Sequence, residues 1–197
     1  SSQTPLGTVY IRSNGIIESS TNATVPIQQN GNIYTLTDDL VVNAFVIQRG
    51  GITIEGAGYK IQGNSEYGID LTTINQVTIS NIQVEGFFYG IYLYQSSGNT
   101  ITGNTLNYCG KGIEIINCTQ NTITNNVITD NDFGLELVYT SENIFRNNQL
   151  DNNNNIAIYG IEFSHFNNDM DDSNTISGNK RVYYLIGKEN LVINPQT

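Results

Sequence analysis

Short stretches of alternating apolar and polar residues recur along this chain at a constant interval. Gly68-Ile69-Asp70-Leu71, Gly90-Ile91-Tyr92-Leu93, Gly112-Ile113-Glu114-Ile115 and Gly134-Leu135-Glu136-Leu137 start 22 residues apart. A second apolar column, Ile79, Ile101, Ile123 and Phe145, keeps the same interval. Each of its members is followed three residues later by Ile82, Asn104, Asn126 or Asn148, and two residues after that by Val84, Leu106, Ile128 or Leu150. The alternation is that of strands, and the repeat contains no i, i+3, i+4 spacing of the helical kind. A unit this short, with two or three brief strands, cannot bury its inner face alone. Stacking each unit on its copy closes a continuous core. The pattern therefore predicts an all-β protein: a right-handed, single-stranded parallel β-helix with about 22 residues per coil.

Parallel strands lie about 4.8 Å apart, so residues one repeat apart should form ladders. Ile69, Ile91, Ile113 and Leu135 are expected inside. Asn104, Asn126 and Asn148 are expected as an amide ladder at a turn, bonding from coil to coil, with Asn in the left-handed backbone of the turn. The ends are less regular. Residues 1–45 lack the repeat and read as N-terminal strands and a cap; residues 46–197 read as coils of the same continuous domain. Gly51-Ile52-Thr53-Ile54 resembles a degenerate early coil. Asn155-Ile156-Ala157-Ile158 reads as a slipped coil, and Gly160-Ile161-Glu162-Phe163 as the start of another. Val182-Tyr183-Tyr184-Leu185-Ile186 and Asn190-Leu191-Val192-Ile193 are the last strand candidates. No amphipathic helix closes the C-terminal end, so either the chain continues or the last coil offers a bare edge to a partner.

Composition narrows the partners. The net charge is −10, and only 13% of the 197 residues are charged. Nucleic acid and anionic membrane surfaces both require clustered Lys and Arg, and no apolar run approaches the ~18 residues of a membrane span. The chain opens on Ser1 with no charged-then-apolar leader, which fits an exported protein after signal-peptide removal or a shortened chain. The sequons Asn22-Ala23-Thr24 and Asn117-Cys118-Thr119 make Asn22 and Asn117 glycosylation candidates.

The motif set resembles the parallel β-helix repeat family, which includes pectate-lyase-like enzymes and NosD-like surface proteins. The likeness is greatest to exported archaeal cell-surface proteins of the NosD-like type. It is carried by Gly90-Ile91-Tyr92-Leu93, by the two Asn-Thr-Ile-x-x-Asn turns at residues 99–104 and 121–126, and by the segment 174–184. The likeness covers roughly residues 8–194 and implies the fold and an exported setting. NosD itself is tied to copper-site maturation, for which this chain has no cluster among its two Cys, one His and one Met.

Several residues are candidates for chemistry. Asp70, Glu114 and Glu136 share one outward position, with Tyr92 in the intervening coil. Stacked in register, Glu114 and Glu136 would be about 5 Å apart, close enough for a retaining-glycosidase-like pair or a cation site, with Lys111 nearby. Solvated outer-face carboxylates are the competing reading. Asp169, Asp171 and Asp172 offer oxygen ligands for Ca²⁺ without EF-hand spacing; as a polar turn they would need no ion. Tyr92 and Tyr94 face outward together and suit stacking on sugar rings or covering of neighbouring coils. Lone His165 is expected to pack or hydrogen-bond. Cys109 and Cys118 flank a strand about 20 Å long if extended, too far for an intrachain bridge. They are expected to be free and buried, or to bridge between subunits.

The sequence thus points first to a non-enzymatic, exported cell-surface structural or adhesive β-helix without a cofactor, self-associating into a layer, sheath or filament. A carbohydrate-active lyase or epimerase using Glu114, Glu136 and Lys111 is the alternative, and a glycan-binding module using Tyr92 and Tyr94 is a third reading.

Overall fold

Each repeat contributes one rung to each of three sheets. A computed structural model of the chain describes residues 5–188. Within these, the strands assemble into three eight-stranded sheets, each parallel except for one antiparallel strand at an end. The first sheet has six-residue strands, Tyr67–Thr72, Tyr89–Tyr94, Lys111–Ile116, Phe133–Val138 and Asn154–Tyr159. The second carries Thr78–Ser80, Thr100–Thr102, Thr122–Thr124 and Ile144–Arg146; the third carries Gln83–Glu85, Thr105–Asn107, Val127–Thr129 and Gln149–Asp151. This is the parallel β-helix that the repeat predicts.

The register follows the sequence interval. Ile69, Ile91, Ile113 and Leu135 pair rung to rung, as do Ile79, Ile101, Ile123 and Phe145. Val84, Leu106, Ile128 and Leu150 form the third inner column. All are essentially inaccessible to solvent, and each such side chain contributes roughly 1.5–3 kcal/mol of burial free energy. The core runs unbroken from Leu6 to Met170. The N-terminal segment shares it: Thr8–Ile11 pairs in parallel with Ala44–Ile47, and Ile33–Leu36 and Leu40–Val41 start the other two sheets.

The glycine that opens each six-residue strand is set by crowding. A Cβ on Gly90 would stand 2.6 Å from the Gly112 carbonyl oxygen, and one on Gly112 would stand 2.5 Å from Ile128 Cγ2. The glycine lets adjacent coils approach, and it also breaks the strict alternation of the strand.

Amide ladders run up all three corners. Asn104, Asn126 and Asn148 form the expected one, extended by Asn174: the Oδ1 of Asn126, Asn148 and Asn174 each accepts from the backbone N–H and the Nδ2 of the Asn one coil earlier, at 2.9–3.2 Å, and that of Asn104 accepts from the Ile82 N–H. Each Nδ2 also donates to an earlier carbonyl, as Asn126 does to Ile101. Asn99, Asn121, Asn143 and Asn168 repeat the arrangement at a second corner. Asn131 and Asn152 make a shorter version at the third. The left-handed residues are not the ladder asparagines but those just before them, Gly103, Asn125 and Asn147, and Asn81 before Ile82 takes the same backbone. The buried amide needs a backbone that aims it inward, and the preceding residue makes the turn.

Past residue 151 the interval drifts. Asn131 to Asn152 is 21 residues, Asn143 to Asn168 is 25 and Asn148 to Asn174 is 26. The slip expected near Asn155 is present. Residues 160–163 do not start a coil; a 3-10 helix, Phe163–Phe166, takes up the added length. Residues 182–186 are not a strand either, and the terminal antiparallel strand is Lys180–Arg181. Their alternation has another cause: Val182 and Tyr184 are half-buried against the end of the core, while Tyr183 and Leu185 are exposed. Residues 190–193 lie outside the described residues.

Candidate functional site

The outer face of the long-stranded sheet carries three columns. Tyr67, Tyr89, Lys111 and Phe133 form the first; Asp70, Tyr92, Glu114, Glu136 and Ala157 the second; Thr72, Tyr94, Ile116, Val138 and Tyr159 the third. Register thus places Tyr92 directly between Asp70 and Glu114, and Glu114 directly against Glu136.

The upper half of this face is aromatic. Ring centroids of Tyr67 and Tyr89 are 5.3 Å apart, those of Tyr67 and Tyr92 are 5.0 Å apart, and those of Tyr89 and Tyr92 are 5.1 Å apart. Tyr94 lies 6.4 Å from Tyr92 with its ring nearly parallel, at 7°. Tyr92 and Tyr94 are where the sequence places them. Tyr89, a neighbour of this pair in the sequence, and Tyr67 one coil earlier join the face because Gly90 breaks the strict alternation that would point residue 89 inward. The signal was nonetheless present, since residues 67, 89, 111 and 133 keep the repeat interval.

The lower half is ionic and dry. Glu114 and Glu136 face outward yet are only 3% and 6% exposed, so they are not the solvated carboxylates an outer position suggests. Lys111 Nζ donates to Glu114 Oε1 at 2.5 Å and also ion-pairs with Glu136 Oε2. Lys111 therefore serves Glu136 Oε2 as well, and Glu114 Oε2 is left buried without a hydrogen-bond partner. Two negative charges with one positive charge between them leave the cluster short of a cation or a proton. Burial raises the Glu114 carboxyl to about 7; Lys111 opposes the rise and Glu136 reinforces it. Burial works against the charge on Lys111, but its two carboxylate partners outweigh that and hold its pKa above the ordinary lysine value. The ammonium also lies 5.2 Å from the centroid of the Tyr89 ring, tying the ionic half to the aromatic half. Burial, with the Glu114 charge next, pushes the Tyr92 phenol up to about 12.

The other candidates lie elsewhere. Asp169 and Asp171 pair with Arg146 and Asp172 pairs with Arg181, at 2.5, 3.0 and 2.8 Å. The three carboxylates therefore turn to guanidinium groups and not to a common centre. His165 Nδ1 accepts the backbone N–H groups of Ile161 and Glu162, and its ring meets Tyr139 edge-on, a packing role. Cys109 and Cys118 are free and buried. The Cys118 thiol bonds to the Ile116 carbonyl and lies beside Ser96, the Cys109 thiol bonds to Asn107, and burial raises both pKa values. Of the two expected states, free buried thiols or bridges between subunits, the geometry is that of the first. Asn22 and Asn117 sit in exposed turns with left-handed backbone.

The chain belongs to the NosD family: the family model described as periplasmic copper-binding protein (NosD) matches residues 4–187. No curated protein and no solved structure matches it. Copper is held by thiolate, thioether and imidazole donors acting together. Here the two thiols are buried at separate places, Met170 packs beneath Phe145 in the core, and His165 Nδ1 is engaged by backbone N–H groups. Among the described residues no group of three or more His, Cys, Asp or Glu side chains is placed to hold a metal. The donors present do not fit a copper centre.

Proposed function

We propose that this NosD-family chain is an exported, non-enzymatic adhesive β-helix of the cell surface, holding a glycan against the tyrosine face of its long-stranded sheet. Export is supported by the family, whose description is periplasmic. The observation that carries the glycan reading is the array of Tyr67, Tyr89, Tyr92 and Tyr94 on one outer face, with the Tyr92 and Tyr94 rings nearly parallel at 7°. Aromatic faces of this kind stack on sugar rings while their hydroxyls meet water or ligand. The β-helix beneath supplies a floor that does not reorganise on binding, which lowers the cost of association. Affinity electrophoresis through gels containing cell-wall polysaccharides tests this. Wild type should be retarded by at least one, and Tyr92→Ala should lose at least tenfold in affinity with an unchanged circular dichroism spectrum. Equal retardation of both would remove the face from the function.

A carbohydrate-active enzyme is the second reading, favoured by a Glu114 carboxyl that holds its proton to about pH 7, as a general acid requires. Against it, Lys111 is engaged by both glutamates with its pKa raised, a poor base for a lyase. A screen for unsaturated products from acidic polysaccharides decides the matter, and any activity found should fall in Glu136→Gln.

Self-association rests on the exposed Tyr159, Ile161 and Phe163 at the end of the long-stranded sheet and in the segment that follows it. Sizing across a range of concentrations tests it, and a monomer throughout would end it. Mass spectrometry of the native protein tests glycan on Asn22 and Asn117.

A further inference from the structure

We propose that the corner between the third sheet and the long-stranded sheet is a second carbohydrate site, separate from the tyrosine face, in which a neutral glycan chain runs along the β-helix axis and stacks on Tyr108. Two grooves of about 460 and 450 Å³ lie end to end at this corner, and Tyr108 is a wall of both. Each is the size of a small-ligand site. Together they extend from the coil of Val41 to that of Asp151, five coil steps, or roughly 24 Å at the strand spacing.

The notch of the first groove follows from glycine. Gly86 has a left-handed φ of 85°, and a Cβ there would stand 2.3 Å from the Gly63 carbonyl oxygen. No side chain fits, so the corner stays open above Tyr108. One coil on, the equivalent left-handed residue is Tyr108, and after it Asp130. Glycine and aspartate suit this backbone, whereas a bulky ring in it is an outlier. Tyr108 does not repay that strain inside the protein. Its ring is 66% exposed, and among the described residues it stacks on no other ring and its hydroxyl makes no hydrogen bond. Tyr139 makes the contrast: it is left-handed too, but its ring packs against His165. An exposed aromatic face between two grooves is what a sugar ring stacks on.

The walls define the sugar. Asn43, Gln62 and Asn64 line the first groove and Asn153 the second, amides that both donate to and accept from hydroxyls. The charged lining groups, Glu85, Asp130 and Asp151, are all carboxylates, and no Lys or Arg lines either groove. Lys60, the nearest ion-pair partner, is bound to Glu85 at 2.9 Å. Uronates, sulfates and phosphates are therefore repelled, and neutral hydroxyl-rich chains are accepted.

Calorimetric titration with cellohexaose, laminarihexaose and mannohexaose, and with hexagalacturonate as the acidic counterpart, tests the site. The variant is Tyr108→Gly, which the left-handed backbone favours, so the fold should hold; far-UV circular dichroism and the thermal midpoint verify this. At least one neutral hexasaccharide should bind wild type, and bind at least tenfold more weakly to Tyr108→Gly. Hexagalacturonate should bind at least tenfold more weakly than that neutral sugar. The proposal is overturned if no neutral probe binds, if Tyr108→Gly binds like wild type, or if the acidic probe is preferred. Loss of binding in Tyr92→Ala alone would assign the sugar to the tyrosine face and likewise overturn the corner site.

Discussion

The amide columns at the corners and the carboxylate pair on the outer face are built by the same operation, the repetition of one residue type at one position in successive coils. Their outcomes are opposite. Asparagine is donor and acceptor at once, so each Asn satisfies the next, and the column from Asn104 to Asn174 leaves no buried amide short of a partner. An ionised carboxylate only accepts. Repeating it from Glu114 to Glu136 stacks two acceptors, and the structure needs Lys111 between them, still leaving Glu114 Oε2 without a hydrogen-bond partner. Repetition stabilises a stack when the side chain is self-complementary, and it makes a demand for a cation or a proton when it is not.

The comparison can be broken most severely at the amide column. In Asn126→Ala, Asn104 loses the acceptor for its backbone N–H and its Nδ2, and the donation to Ile101 disappears. Unsatisfied buried groups cost about 1–3 kcal/mol each, so urea denaturation should show a loss of about 3 kcal/mol. A loss below about 1 kcal/mol would show that the column is ornament. Lys111→Met attacks the other side. It leaves two buried carboxylates unneutralised, and removing one partner of such a cluster costs on the order of 3 kcal/mol. The loss should be larger at pH 8 than at pH 5, where the carboxyls can take up protons.

Glu136→Gln sharpens the contrast by making the pair self-complementary. The Glu114 carboxyl has a pKa near 7 in the folded chain, above its ordinary value, so the folded state holds the proton more tightly than the unfolded one. That stabilisation is fully present below about pH 4.5 and is lost as pH rises through about 7. Wild type should therefore lose stability between pH 5 and pH 8. In Glu136→Gln the amide can donate to Glu114 and the like charge is gone, so the slope should flatten, with stability at pH 8 equal to or above wild type. A slope as steep as wild type would show that burial alone, and not the Glu136 charge, holds the Glu114 pKa up. The smallest effect concerns the thiols. Cys109 and Cys118 should resist a soluble thiol reagent in the native protein and react only after unfolding, and immediate labelling would restore the intersubunit bridge as a candidate.

The extent to which these features could be read in advance follows from their physics. The inner columns and one amide ladder were legible because the interval is constant and each apolar residue sits above its copy. The ladder through Asn99, Asn121 and Asn143 had the same signal in the Asn-Thr-Ile turns. The Tyr108 grooves carried no repeat signal, because they arise where Gly86, Tyr108 and Asp130 differ at one position.

Winding, register and the direction of most side chains were determined by the sequence alone, since they depend only on residues a fixed number of positions apart along one chain. Tertiary structure alone decided that outward-facing Glu114 and Glu136 are dry, that one lysine serves both, and that both thiols are enclosed. These depend on how side chains of neighbouring rungs crowd one another sideways, and the contact between Lys111 and Glu136 is made across coils by flexible side chains whose meeting no periodicity encodes.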